Sequence, residues 1–244
     1  MDQGTYVNTR VNGGHALALY TSLRLVGWLP TVLCALGVLL LWLLNATIWA
    51  GPAALREGTP LVPTVRVVEV IVPLAAGIQA AFLLSPEDEP CLELLLACPR
   101  PIRLALLERI GVMAALTGGV ALPGSLIQSE SAALALLRWV SPAAWFCGIA
   151  VFTALLTRQG TFGALLVTLL WGGTLFGGDA LLARWPHLWP LHAYLQPGDV
   201  LYDVYALNRG VLILAGLLLT ALAAHLVGEP EHMLGIRAQR PVTR

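Results

Sequence analysis

The sequence predicts an all-α, polytopic membrane protein with six transmembrane helices, and three observations carry that expectation. Apolar residues make up 57% of the 244 and charged residues only 11%, whereas a soluble domain carries roughly a quarter charged residues to wet its surface. The mean hydropathy is +0.77. Apolar runs also recur at the length a bilayer demands, about 20 residues for a hydrocarbon core about 30 Å thick.

The first run extends from Leu25 to Ala50, interrupted only by Asn45 and Thr47. It is too long for a signal peptide's apolar region and follows a long polar lead, so it reads as an anchor. The second runs from about Val67 to Leu84, the third from Leu104 to Ile127 and the fourth from Ala133 to Leu156. The fifth covers about Phe162 to Leu182 and the sixth Val211 to Val227. Residues 1–24 form a lead, 25–227 the bundle and 228–244 a tail, all within one transmembrane domain. Within the lead, His15 to Leu25 reads either as an interfacial helix on the inner leaflet or as a frayed terminus.

An even number of spans puts both termini on one side. Arg10, Arg24, Arg100, Arg103, Arg109, Arg158, Arg237, Arg240 and Arg244 collect there, against Arg56, Arg66, Arg138, Arg184 and Arg209 on the other. Positive charge is retained inside, which places the termini in the cytoplasm of a multi-pass protein of the cell membrane. Net charge is zero, so nothing points to nucleic acid. All fourteen basic residues are arginine. Without lysine the chain has no P-loop and no Schiff-base nucleophile. Cys34 and Cys147 fall in spans, and Cys91 and Cys98 lack the spacing of a zinc site, so all four read as reduced packing residues. No metal site is expected.

The loop between the second and third spans, about residues 86–101, carries the clearest pattern. Glu87, Asp88 and Glu89 follow Pro86 at a helix start, where negative charge meets the positive end of the helix dipole. Leu92, Leu95 and Leu96 then form one apolar stripe, with Glu93 off it. Pro99 and Pro101 close the helix, and Arg100 and Arg103 follow. Such a short amphipathic helix either rests on lipid or docks into a groove on a cytosolic partner. Its acidic lead favours docking, because the inner leaflet is itself negative.

The stretch Glu93 to Pro99 (ELLLACP), followed by Arg100, Arg103 and Leu106 to Arg109 (LLER), resembles the signature loop of type-2 ATP-binding-cassette exporter permeases. There a glu-leu-leu-x-x-x-pro stretch precedes a basic patch and the third helix. The six spans, the cytoplasmic termini and the Leu207-Asn208-Arg209 triplet opening the last helix are also similar; Pro90 and Cys91 depart from a glycine–threonine pair common in the family. The resemblance implies a dimer with a second permease subunit, identical or different, driven by a separate ATPase subunit that binds ATP and Mg. This chain would then hold no cofactor and perform no bond-making chemistry. Glu89, Leu92, Glu93, Leu95, Leu96, Pro99 and Arg100 would form the coupling helix that sits on the ATPase, and His15 to Leu25 the family's connecting helix. The cargo would be hydrophobic or amphipathic.

Between the fifth and sixth spans, residues 184–209 carry Trp185, Trp189, Tyr194, Tyr202 and Tyr205, interleaved with prolines. This reads either as an aromatic belt at the membrane surface or as short helices broken at Pro190 and Pro197. The resemblance implies re-entrant helices there. Charges inside spans are costly. Glu69 is expected to pair with Arg66, and Glu108, Arg109 and Arg138 to snorkel to the interfaces. Asp179 follows a run of glycines in which Gly173 and Gly177 allow close helix approach. Asn45, Gly173, Gly177 and Asp179 are therefore candidates for a pathway or a dimer seam. Asn45-Ala46-Thr47 matches a glycosylation sequon but lies inside the first span, out of a transferase's reach. An ion-coupled transporter is the alternative function, with Asp179 as its candidate charge. An intramembrane protease lacks its Gly-x-Ser-Gly or His-Glu-x-x-His motif.

Overall fold

The computed structural model describes residues 62–87, 101–126, 132–195 and 202–228, together with positions 32, 36, 89, 92 and 233. Among the described residues every long element is a helix: α1 (Val62–Ala81), α2 (Ile102–Leu126), α3 (Ala132–Thr157), α4 (Gly160–Arg184) and α5 (Tyr202–Val227), with a 3-10 segment at Pro186–Leu191. Of the first expected span only Val32 and Leu36 are described, both helical. The rest of that span and the interfacial lead lie outside the described residues.

Helices α2 to α5 are each long and apolar enough to cross a membrane. A helix of 25 residues rises about 37 Å, which exceeds the hydrocarbon thickness. The described residues are thus those of an all-α, multi-pass membrane protein, with four such helices and one shorter apolar helix among them. The shorter one is the stretch Val68–Ala81 of α1. The expected second span, Val67 to Leu84, overruns this helix at its end: Leu83 and Leu84 lie beyond Ala81 and turn inward, both buried.

The sixth expected span shows the largest shift. Its helix begins at Tyr202, nine residues before Val211. Hydropathy placed Tyr202, Tyr205, Asn208 and Arg209 in a loop, although the resemblance has Asn208 and Arg209 opening the last helix. They form the first turns of α5 instead, since the Arg209 and Asn208 donors are consumed by carbonyls of the preceding segment. The 3-10 helix likewise runs through Pro190 and ends at Leu191, where His192 is extended. Pro190 is therefore no break, and Pro197 lies outside the described residues.

Helix α3 is the hub and packs on α5, α1 and α4. Half of its membrane window is buried, against 17% for α4 and 22% for α5, so α4 and α5 give most of their surface to lipid or partner. The tightest crossing is α3 on α5. A Cβ on Gly148 would lie 2.8 Å from the Gly216 Cα, and one on Gly216 would meet the Ala144 carbonyl. Only glycine lets these backbones touch.

Two prolines tune the helices. Pro73 in α1 and Pro142 in α3 each withdraw the donor that the carbonyl one turn earlier would use. Those earlier residues are Glu69 and Arg138. Nearby acceptors are taken up by side chains: the Trp171 indole donates to the Val70 carbonyl at 2.9 Å, and the Ser141 hydroxyl donates to the Leu137 carbonyl.

Candidate functional site

At one end of the bundle the α1–α2 loop, the start of α2, the α3–α4 corner and the chain beyond α5 converge. Arg109, on the second turn of α2, is the first anchor. Its Nη1 donates to the Leu83 carbonyl and to Glu89 Oε2, each at 2.5 Å. Both side chains are almost fully buried. The expectation that Arg109 snorkels is therefore corrected: the guanidinium finds its acceptors inside the protein, so reaching for headgroups brings it nothing. Glu89, expected to meet a helix dipole, is likewise spent on Arg109.

Arg158, at the corner between α3 and α4, is the second anchor. Its φ of 67° places it in the left-handed region, which costs a non-glycine residue about 1–2 kcal/mol. The turn aims its carbonyl at the loop. Ser85 Oγ and the Glu87 backbone N–H both donate to that carbonyl at 3.1 Å. Gln159 Nε2 adds a bond to Glu87 Oε2 at 2.7 Å. On its other side the Arg158 guanidinium donates to the Met233 carbonyl at 3.1 Å. Met233 is fully buried and joins the main core cluster, which also holds Leu83, Leu84, Leu92, Leu106 and Val227. Arg103 lies against Gly228 at the end of α5, where a cation favours the helix's negative pole.

Of the predicted coupling residues, Glu89 and Leu92 are thus placed in this platform. Leu92 is helical and buried, so its part of the leucine stripe rests on the bundle itself. Glu93, Leu95, Leu96, Pro99 and Arg100 lie outside the described residues, as does Asn45.

Within the bundle, Glu69 on α1 faces Arg138 on α3, with Arg138 Nε 3.5 Å from Glu69 Oε1. Arg138 thus turns to Glu69, where snorkelling was expected; the expected Glu69–Arg66 pair involves a side chain outside the described residues. Two helices packed side by side bring these charges together, and mutual neutralisation lowers the cost of keeping them from water.

At the opposite end, Asn208 and Arg209 hold the segment before α5. Asn208 Nδ2 donates to the carbonyls of Trp189, Pro190 and His192 at 2.9, 3.0 and 3.1 Å. Arg209 Nη1 and Nη2 donate to the Ala193 and Leu195 carbonyls, both at 2.7 Å. The Arg209 guanidinium also stacks 4.7 Å above the Tyr205 ring. The His192 ring fills the space beside Gly178 of α4, and Tyr194 packs on Phe146 of α3, with ring centroids 6.5 Å apart. Burial pushes the Tyr194 phenol above its ordinary pKa, with neighbouring Arg209 pulling the other way.

A Cβ on Gly173 or Gly177 would meet nothing within 4 Å among the described residues. Between them Phe176 stands 84% exposed, the most open of the large apolar side chains among the described residues. Among the described residues no other helix closes on Gly173 and Gly177; Gly148 and Gly216 make the close crossing. Asp179 belongs to α4, and its side chain is outside the described residues. Among the described residues no three His, Cys, Asp or Glu side chains gather as metal ligands.

Sequence reasoning did not foresee the roles of Arg158 and of the Gly148–Gly216 crossing. A signal existed for the first, a corner of only two residues between two long helices; the second had no counterpart in local pattern. Comparison with family models, with curated proteins and with solved structures finds no match for this chain.

Proposed function

We propose that the chain is the permease subunit of an ATP-binding-cassette exporter, moving a hydrophobic or amphipathic substrate and driven by a separate ATPase subunit that holds ATP and Mg. One observation carries this reading: the loop with the leucine-striped segment is tied rigidly to the bundle. Arg109 ties it to α2, and Arg158 with Gln159 ties it to the α3–α4 corner. A loop that only connects two helices has no need of buried ionic anchors. One that receives force from a partner does, because motion must pass into the helices rather than be lost in the chain.

In this reading the Leu25–Ala50 run and α1 complete six spans, the termini and the loop face the cytoplasm, and the tied-down segment before α5 lies outside. Closure of the ATPase pair pushes the loop, and α2, α3 and α4 move with it. The open Gly173 and Gly177 face of α4 meets a second permease subunit. The test is co-purification of the tagged chain with an ATPase subunit. Leu95→Asp is expected to abolish that association while leaving the chain in the membrane, and retained association would remove the docking role.

The Glu69–Arg138 pair favours a second reading, an ion-coupled transporter. Proton-driven uptake that is lost in Glu69→Gln and needs no ATPase would select it.

A further inference from the structure

We infer that Met233, beyond α5, braces the docking loop through Arg158, so that the loop keeps its shape only while Met233 is seated. Arg158 serves both parts at once. Its carbonyl receives Ser85 and Glu87 from the loop, and its guanidinium grips the Met233 carbonyl. The left-handed backbone is what turns these two groups of one residue toward two different segments. Met233 is fully buried, in the apolar cluster that includes Leu83 and Leu92. Unseating it would open that cluster beneath the loop and free the Arg158 side chain. The two segments are far apart in sequence yet share one anchor, so their stabilities are linked. Any partner that draws Met233 away would slacken the loop, which makes it a regulatory handle on the docking site. The handle's function rests on the exporter reading; the brace itself does not.

The test uses the full-length chain in lipid nanodiscs, with Cys34, Cys91, Cys98 and Cys147 replaced by alanine. A single reporter is introduced as Leu92→Cys in the loop or as Ala76→Cys on α1, in a separate apolar cluster, and a water-soluble maleimide measures each. Arg158→Gly keeps the left-handed turn and its carbonyl but removes the grip on Met233. Met233→Lys puts a cation into the buried apolar cluster that Met233 fills. Each is expected to speed labelling at position 92 by about tenfold, as local opening becomes easier, while position 76 stays protected. Unchanged labelling at position 92 in either variant overturns the brace. Fast labelling at both positions also overturns it, because Arg158 and Met233 would then support the whole fold and not the loop. No ATPase enters the assay, so a negative result leaves the exporter reading intact, and a missing ATPase partner leaves the brace intact.

Discussion

Arg109 shows how much one side chain can organise when its donors are all spent indoors. Its guanidinium joins a loop carbonyl and a loop carboxylate on a helix that starts after the loop ends. Removing it leaves Glu89 buried and uncompensated, which costs about 3–5 kcal/mol. Arg109→Ala is therefore expected to lower thermal stability markedly, whereas Arg109→Ala with Glu89→Ala recovers much of the loss. A double-mutant cycle of melting temperatures in detergent checks this, and additive losses would show that the two residues act independently. Arg209 uses the same chemistry at the other end, on backbone carbonyls. Arginine suits both places because its planar fork reaches two acceptors at once.

Among the elements, α3 decides the arrangement by touching α1, α4 and α5. Its contact with α5 depends on two glycines facing each other, a backbone-to-backbone fit with no slack. Gly216→Leu would force the side chain into the Ala144 carbonyl and push α5 away. Overpacking of this kind costs about 1–3 kcal/mol or more. The expected outcome is a poorly folding protein, read as loss of the monodisperse peak in gel filtration. Gly173→Leu, on the open face of α4, is expected to leave that fold intact. The 3-10 segment behaves differently again. None of its own residues is buried, and its position is set by residues further along the chain, through Asn208, Arg209 and the Tyr194–Phe146 contact.

For the molecule as a whole, among the described residues α1 and α3 are largely covered, whereas α2, α4 and α5 bury little of their surface. In lipid that is tolerable, since tails are as apolar as leucine and association rests on packing of small residues. The open stretch around Gly173, Phe176 and Gly177 offers a knob beside two hollows. If it is the contact with a second permease subunit, Gly173→Leu with Gly177→Leu would shift the detergent-solubilised protein to a lower mass in light scattering without lowering its melting temperature. An unchanged mass would place the subunit contact elsewhere.

The sequence alone determined the class of this protein and the existence of its long helices, because hydropathy and length are local properties that any 20-residue window reveals. It also singled out the α1–α2 loop, whose acidic start, leucine stripe and prolines are all neighbours in the chain. It misplaced the start of α5, since a charged residue reads as a loop until its partners are known. The tertiary structure decided which polar groups pair and which glycines touch. Arg109 meets Glu89 across 20 positions and Arg158 meets Met233 across 75. Partners so far apart leave no periodic trace in sequence. Their pairing depends on how the helices cross, and those crossings are set by packing.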